Sequence, residues 1–159
     1  MTTTDTPGEA EPLARDIMTT PAITVTPDVT VKDLVALFRE NRVGGVPVVD
    51  AQGLLVGIVT EGDLMAMNAD VKMPHYFELF DSIIYLGSQK KFKEQLQKAA
   101  AATVADLMTP APLTVKPDDP ARAAAHLMSK HRFDRVPVEE EGKVVGVISR
   151  HDIMKILGL

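Results

Sequence analysis

The chain has 159 residues, a formal net charge of −5 and no cysteine, which excludes disulfides, thiolate metal sites, iron–sulfur clusters and cysteine nucleophiles together. No basic excess is available to neutralise a nucleic acid, and no apolar run approaches the roughly 18–20 residues that a membrane span needs. Hydrophobic residues make up 45% and aromatic ones 4%, so the expectation is a cytoplasmic globular protein with a core of Val, Leu, Ile, Met and Ala.

Residues 1–12 are polar, acidic and rich in Thr and Pro, the composition of a disordered tail and not of a signal peptide. A helical turn follows at Leu13–Met18, then a short extended segment around Thr24-Val25, stopped by Pro27-Asp28. Thr30, with Asp33 three residues on, reads as the cap of a helix that places Val31, Leu34, Val35 and Phe38 on one face. Two strands come next, Val46–Val49 and Leu54–Thr60, joined by a turn at Asp50–Gly53, and a last helix starts after Thr60. This first unit spans 13–68.

Residues 69–103 read as a helical insert. Pro74 starts a helix carrying Phe77, Phe80, Ile83 and Ile84, Gly87-Ser88 breaks it, and a second helix runs from Gln89 into Ala99–Ala102 with Phe92 and Leu96 on one face. Such a segment either packs across the molecule, the reading we favour, or forms a surface for an unidentified protein partner.

From 104 to 159 the first unit returns. Val104–Met108 is the opening turn, Thr114-Val115 the extended segment, and Asp119 the cap of a helix with Pro120 in its first position and Ala121, Ala124, Leu127 and Met128 inward. Strands at Val136–Val138 and Lys143–Ser149 flank a turn at Glu140–Gly142, and a final helix follows Ser149. Sliding the sequence by 90 positions pairs Asp16 with Asp106, Met18 with Met108, Pro27-Asp28 with Pro117-Asp118 and Val46-Pro47-Val48 with Val136-Pro137-Val138. After one lost residue, Gly57 meets Gly146 and Asp63 meets Asp152. The chain therefore holds two copies of a β-α-β-β-α unit. One unit is too small to bury both faces of its sheet, and two packed together solve that.

The strand-to-helix junctions Gly57-Ile58-Val59-Thr60-Glu61-Gly62-Asp63 and Gly146-Val147-Ile148-Ser149-Arg150-His151-Asp152 share the pattern G-h-h-[ST]-x-x-D. One reading is a capping box, with the hydroxyl residue as N-cap and Asp three residues in. The other is a binding site. Helix starts attract anions, a hydroxyl donates to a phosphate, a carboxylate accepts from two vicinal ribose hydroxyls, and the leading Gly lets a ligand approach the strand. The Met residues Met65, Met128 and Met154 read as fillers of core gaps. His126 and His131 do not share a helix face and make poor metal partners, so no metal site and no catalytic group is expected.

The paired units, the Met-Thr after each opening turn, the h-P-V segment and the G-h-h-[ST]-x-x-D ending together resemble tandem CBS domains, the Bateman module. The resemblance covers both repeats and omits the tail and the insert. It implies an α/β (α+β) pseudo-twofold module whose two clefts bind AMP, ADP, ATP, S-adenosylmethionine or a related adenosyl ligand. It also implies a regulatory role without enzymatic activity, and a homodimer formed through the helices after the motif, Leu64–Met67 and Ile153–Leu157. Carried across by position, Thr60 and Asp63 serve one cleft, lined by Thr24, Val25, Gly45 and Val46. Ser149 and Asp152 serve the other, lined by Thr114, Val115, Arg135 and Val136.

The copies differ in charge. The second motif carries Arg150 and His151, with His131, Arg132 and Arg135 nearby in sequence, where the first carries Glu61 and Gly62 with Arg42 as its nearest cation. The second cleft is therefore expected to prefer phosphorylated ligands, while the first takes a less charged adenosyl ligand or stays empty. The alternative is a scaffold without ligand that acts through the 69–103 insert.

Overall fold

The computed structural model describes residues 10–69, 75–79 and 82–86, positions 90, 93, 94 and 98, and residues 101–157. In the first repeat the order is α1 (Ala14–Ile17), α2 (Val31–Asn41), β1 (Gly45–Val49), β2 (Leu55–Thr60) and α3 (Glu61–Ala69). The insert contributes β3 (His75–Leu79) and β4 (Ser82–Leu86). In the second repeat come α4 (Val104–Leu107), β5 (Thr109–Pro110), α5 (Ala121–His131), β6 (Arg135–Glu140), β7 (Lys143–Ser149) and α6 (Arg150–Ile156).

Local chemistry sets the element ends. The Thr30 hydroxyl accepts the Asp33 N–H at 3.2 Å and starts α2, which buries Val31, Leu34 and Phe38 while Val35 stays exposed. In α5 the expected cap does not form. Asp119 instead accepts the Lys116 N–H at 2.8 Å, closing the preceding turn, and the helix begins after Pro120 with no side-chain cap. The hairpins are antiparallel, with Gly45 opposite Thr60 and Arg135 opposite Ser149. Each turns through a glycine in the left-handed region, Gly53 at φ 80° and Gly142 at φ 82°, a conformation that glycine adopts without steric penalty. The first strand of each unit shrinks to a single parallel bridge, Val25 to Val48 and Val115 to Val138.

The two repeats exchange their opening turns. Ala14 packs in a core with Val115, Ala124, Val136, Val138 and Ile148, all of the second repeat. Its N–H donates to Asp119 O at 2.8 Å, and Thr19 bridges to Val147. Conversely, Val104 packs with Val25, Leu34, Phe38, Val46 and Val59 of the first, and β5 pairs with β2, Ile58 opposite Thr109. Each core is thus completed by the other copy, and each repeat places apolar side chains that its own sequence cannot cover. The two hairpin turns also meet, Leu55 N–H donating to Gly142 O at 2.9 Å.

The insert departs from the sequence reading. Residues 75–79 and 82–86 form an antiparallel hairpin, with Tyr76 opposite Tyr85 and Phe77 opposite Ile84, in place of the helix expected from Pro74. Both segments are short and rich in aromatic and β-branched residues, which favours strands. Phe77, Ile83 and Ile84 fit either period over so few positions, and length arbitrates for the strand. The described positions 90, 93, 94, 98 and 101 are helical, in line with the second helix. Phe80, Phe92 and Leu96 lie outside the described residues, as does most of the 1–12 tail.

Candidate ligand-binding clefts

Two clefts open between the repeats. The larger, about 550 Å³, holds Ser149 and Asp152 and is the second cleft. The smaller, about 390 Å³, holds Thr60 and Asp63 and is the first. Both volumes lie in the range of small-molecule sites.

At Ser149 the full capping box is formed, and at Thr60 its carboxylate half. Asp152 Oδ2 accepts the Ser149 N–H and the Ser149 Oγ–H, both at 2.8 Å, and Ser149 Oγ accepts the Asp152 N–H at 3.3 Å. Asp63 Oδ2 likewise accepts the Thr60 N–H at 2.7 Å and the Thr60 Oγ1–H at 3.0 Å. In both motifs Oδ1 takes no hydrogen bond from the described residues. The helix-start N–H groups are partly committed as well: Arg150 N donates to Asp134 O at 2.8 Å and Glu61 N to Gly44 O at 2.9 Å. With α6 only seven residues long, side chains and not the helix dipole must supply most of the attraction for an anion.

The motif glycines serve packing. A Cβ on Gly57 would come within 2.7 Å of Met108 Sδ, and one on Gly146 would collide with Met18 Sδ. The space read from sequence as room for a ligand is filled by the methionine after each exchanged turn. Of the other methionines, Met128 is buried as expected, whereas Met65 and Met154 are 67% and 40% exposed on α3 and α6.

The grouping of the remaining candidates is crossed. Gly45 and Val46 line the second cleft with Ser149 and Asp152, not the first. Thr24, Val25, Thr114, Val115 and Val136 line neither, because the bridges to Val48 and Val138 turn Val25 and Val115 into the cores, where Val136 also lies. Their places are taken by Pro21, Ala22 and Ile23 in the second cleft and by Pro112 and Leu113 in the first. These segments follow the exchanged turns, so each belongs to a cleft that repeat-by-repeat assignment could not give it.

The cations are crossed too. Arg42 and His151 line the second cleft, and Arg132 lines the first. His131 lines neither and stacks on Phe133, ring centroids 5.5 Å apart. Asp134, which sequence reasoning missed, lines both clefts and holds Arg150 Nη2 at 2.6 Å in an exposed ion pair. The second cleft therefore sets Arg42, Arg135 and Arg150 against Asp134 and Asp152. The first sets Arg132 and Arg135 against Glu61, Asp63 and Asp134.

The CBS domain model matches residues 14–69 and 104–159, and the chain belongs to the CBS-domain family. It is 34% identical over 153 residues to uncharacterized protein MJ1426 of Methanocaldococcus jannaschii, covering 91% of this chain and 90% of that one. It is also 34% identical to the chloroplastic CBS domain-containing protein CBSX2 of Arabidopsis thaliana, over 82% of this chain but only 56% of the relative's length. Among solved structures, CBSX2 in complex with AMP superposes with a TM-score of 0.68 at 28% identity, covering 91% of this chain and 95% of that one. The CBS domain pair of protein MJ0100, in complex with 5'-methylthioadenosine and S-adenosyl-L-methionine, gives 0.70 at 25% identity over 94% and 98%. No helix among the described residues is long and apolar enough to cross a membrane.

Proposed function

We propose that the chain is a regulatory module that binds an adenine nucleotide or a related adenosyl ligand between its repeats and catalyses no reaction. The observation that carries this reading is the pair of capping-box carboxylates, Asp63 and Asp152, each at a cleft with Oδ2 committed and Oδ1 without a partner among the described residues. A carboxylate held in this way is oriented before the ligand arrives, which suits the two vicinal hydroxyls of a ribose. Pro21, Ala22 and Ile23 offer an apolar wall to an adenine ring in the second cleft, as Pro112 and Leu113 do in the first. The relatives solved with AMP and with methylthioadenosine and S-adenosylmethionine support the ligand class.

The charge around Ser149 and Asp152 favours a phosphorylated ligand there, with Arg42 and Arg135 as its partners; Arg150 joins them on exchanging its exposed bond with Asp134, a pair that contributes little. Met65 on α3, Met154 and Ile156 on α6 and Leu157 just after it are exposed apolar side chains, and a second copy of the chain is the partner we assign to that face. Binding then reaches a regulated protein through that assembly or through the 69–103 insert.

A thermal-shift panel of AMP, ADP, ATP and S-adenosylmethionine on nucleotide-stripped protein tests the reading. A ligand present at a hundred times its Kd stabilises by about 2.7 kcal/mol, so at least one of the four is expected to raise the transition clearly. No shift with any of them moves the reading to a ligand-free scaffold.

A further inference from the structure

Arg135 belongs to both clefts at once. It lines the cavity around Ser149 and Asp152 and the one around Thr60 and Asp63. Its side chain crosses the backbone of Gly44 and Gly45. Glu61 Oε2 lies 2.9 Å, and Arg135 Nη2 3.1 Å, from the point where a Cβ on Gly44 would stand, and a Cβ on Gly45 would collide with the guanidinium. The first repeat carries glycine at position 45, where the second carries Arg135. The Arg135 guanidinium is thus shared between the two clefts, and its repeat-equivalent position supplies no second one. It makes no ion pair among the described residues. Burial draws its pKa below the ordinary arginine value, opposed by Asp134 and then Glu61, and it stays cationic at neutral pH.

Resting on the adenosyl reading of the clefts, we infer that Arg135 couples them negatively for phosphate-bearing ligands, so that a phosphate in one cleft withdraws the cation the other needs. A guanidinium aims its fork in one direction at a time. When it turns to a phosphate beside Ser149, the first cleft keeps Arg132 alone against Glu61, Asp63 and Asp134. A second phosphate then meets a net negative site. A ligand without phosphate makes no demand on Arg135 and leaves the clefts independent.

Calorimetric titration with AMP and with adenosine, on wild type, Asp152→Ala and Arg135→Ala, tests this. In wild type, AMP is expected to bind one site tightly and the first cleft weakly. In Asp152→Ala, with the second cleft disabled, the first cleft is expected to bind AMP about ten- to a hundredfold more tightly than it does in wild type. Arg135→Ala weakens AMP in the second cleft by a similar factor, leaves the first cleft at its weak wild-type affinity, and abolishes the gain that Asp152→Ala brings there; circular dichroism shows that the variant is folded. Equal first-cleft affinity for AMP in wild type and Asp152→Ala overturns the coupling. So does the absence of any AMP binding to Asp152→Ala, or full AMP affinity in Arg135→Ala. If neither AMP nor adenosine binds wild type, the cleft reading itself falls, and this inference falls with it.

Discussion

Gly146 carries no side chain because Met18 fills the place of its Cβ, and Gly57 stands in the same relation to Met108. Gly146→Ala is expected to destabilise the chain by about 1–3 kcal/mol, the usual range for overpacking, measured by denaturant unfolding. Met18→Ala in the same chain should recover part of the loss, since the collision is with that flexible side chain. At Gly57 the Thr109 carbonyl also stands 3.1 Å from the Cβ position, so Met108→Ala should rescue Gly57→Ala less well. Arg42 offers a second test at this scale. It closes α2 in the left-handed region at φ 53°, a conformation that costs a residue with a Cβ about 1 kcal/mol, and it lines the second cleft. Arg42→Gly should raise stability by about 1 kcal/mol and weaken phosphorylated ligands. A gain in stability with unchanged AMP affinity would remove Arg42 from the site. The motif residues were legible in sequence because each is a local device: hydroxyl and carboxylate three apart bond to each other whatever surrounds them. The role of Gly57 and Gly146 was not, because the atoms that exclude a side chain come from the other repeat.

At the scale of elements the exchange of opening turns decides most of what the repeats could not tell. Periodicity located α2, α5 and both hairpins, since a buried face at spacing 3.6 or 2 is written into each segment alone. It could not say which sheet α1 and α4 would cover, because both repeats present the same apolar surface and the chain length between them permits either choice. The crossed clefts follow directly: Gly45 and Val46 face Ser149, while Pro112 and Leu113 face Thr60. In the insert, Tyr76, Phe77, Ile84 and Tyr85 pair across a hairpin because aromatic and β-branched side chains outweigh the helical spacing suggested by Phe77, Ile83 and Ile84. Completion of each core by the other repeat has a measurable consequence. A fragment of residues 13–68 lacks Val104, which is fully buried among Val25, Leu34 and Val59. It is expected to show no cooperative thermal transition by circular dichroism until the second half is added. A cooperative transition at the temperature of the intact chain would mean that the exchange is dispensable.

Over the whole molecule, near-symmetric backbones carry unlike clefts. The motif positions make most of the difference: Glu61-Gly62 in the first repeat against Arg150-His151 in the second, while Asp134 and Arg135 line both clefts. The direction of the charge asymmetry was legible from Arg150 and His151 of the second motif, but the cleft that each flanking arginine joins was not, since Arg132 faces the first cleft and Arg42 the second. The exposed face of α3 and α6 also belongs to this scale. With Met65 67% and Leu157 62% exposed, the chain is expected to sediment as a dimer at micromolar concentration. Met65→Lys together with Leu157→Lys should return it to a monomer, by placing unpaired charges in the contact. A wild-type monomer under those conditions would remove the assigned second copy.

The most direct test of the central claim is a calorimetric titration of the nucleotide-stripped chain with AMP, alongside Asp152→Ala and Asp63→Ala. Binding on the order of micromolar Kd, lost from the second cleft in Asp152→Ala and reduced only slightly in Asp63→Ala, is the result expected of an adenosyl-ligand sensor with its phosphate site at Ser149 and Asp152. No heat in wild type, or equal losses in the two variants, would contradict it.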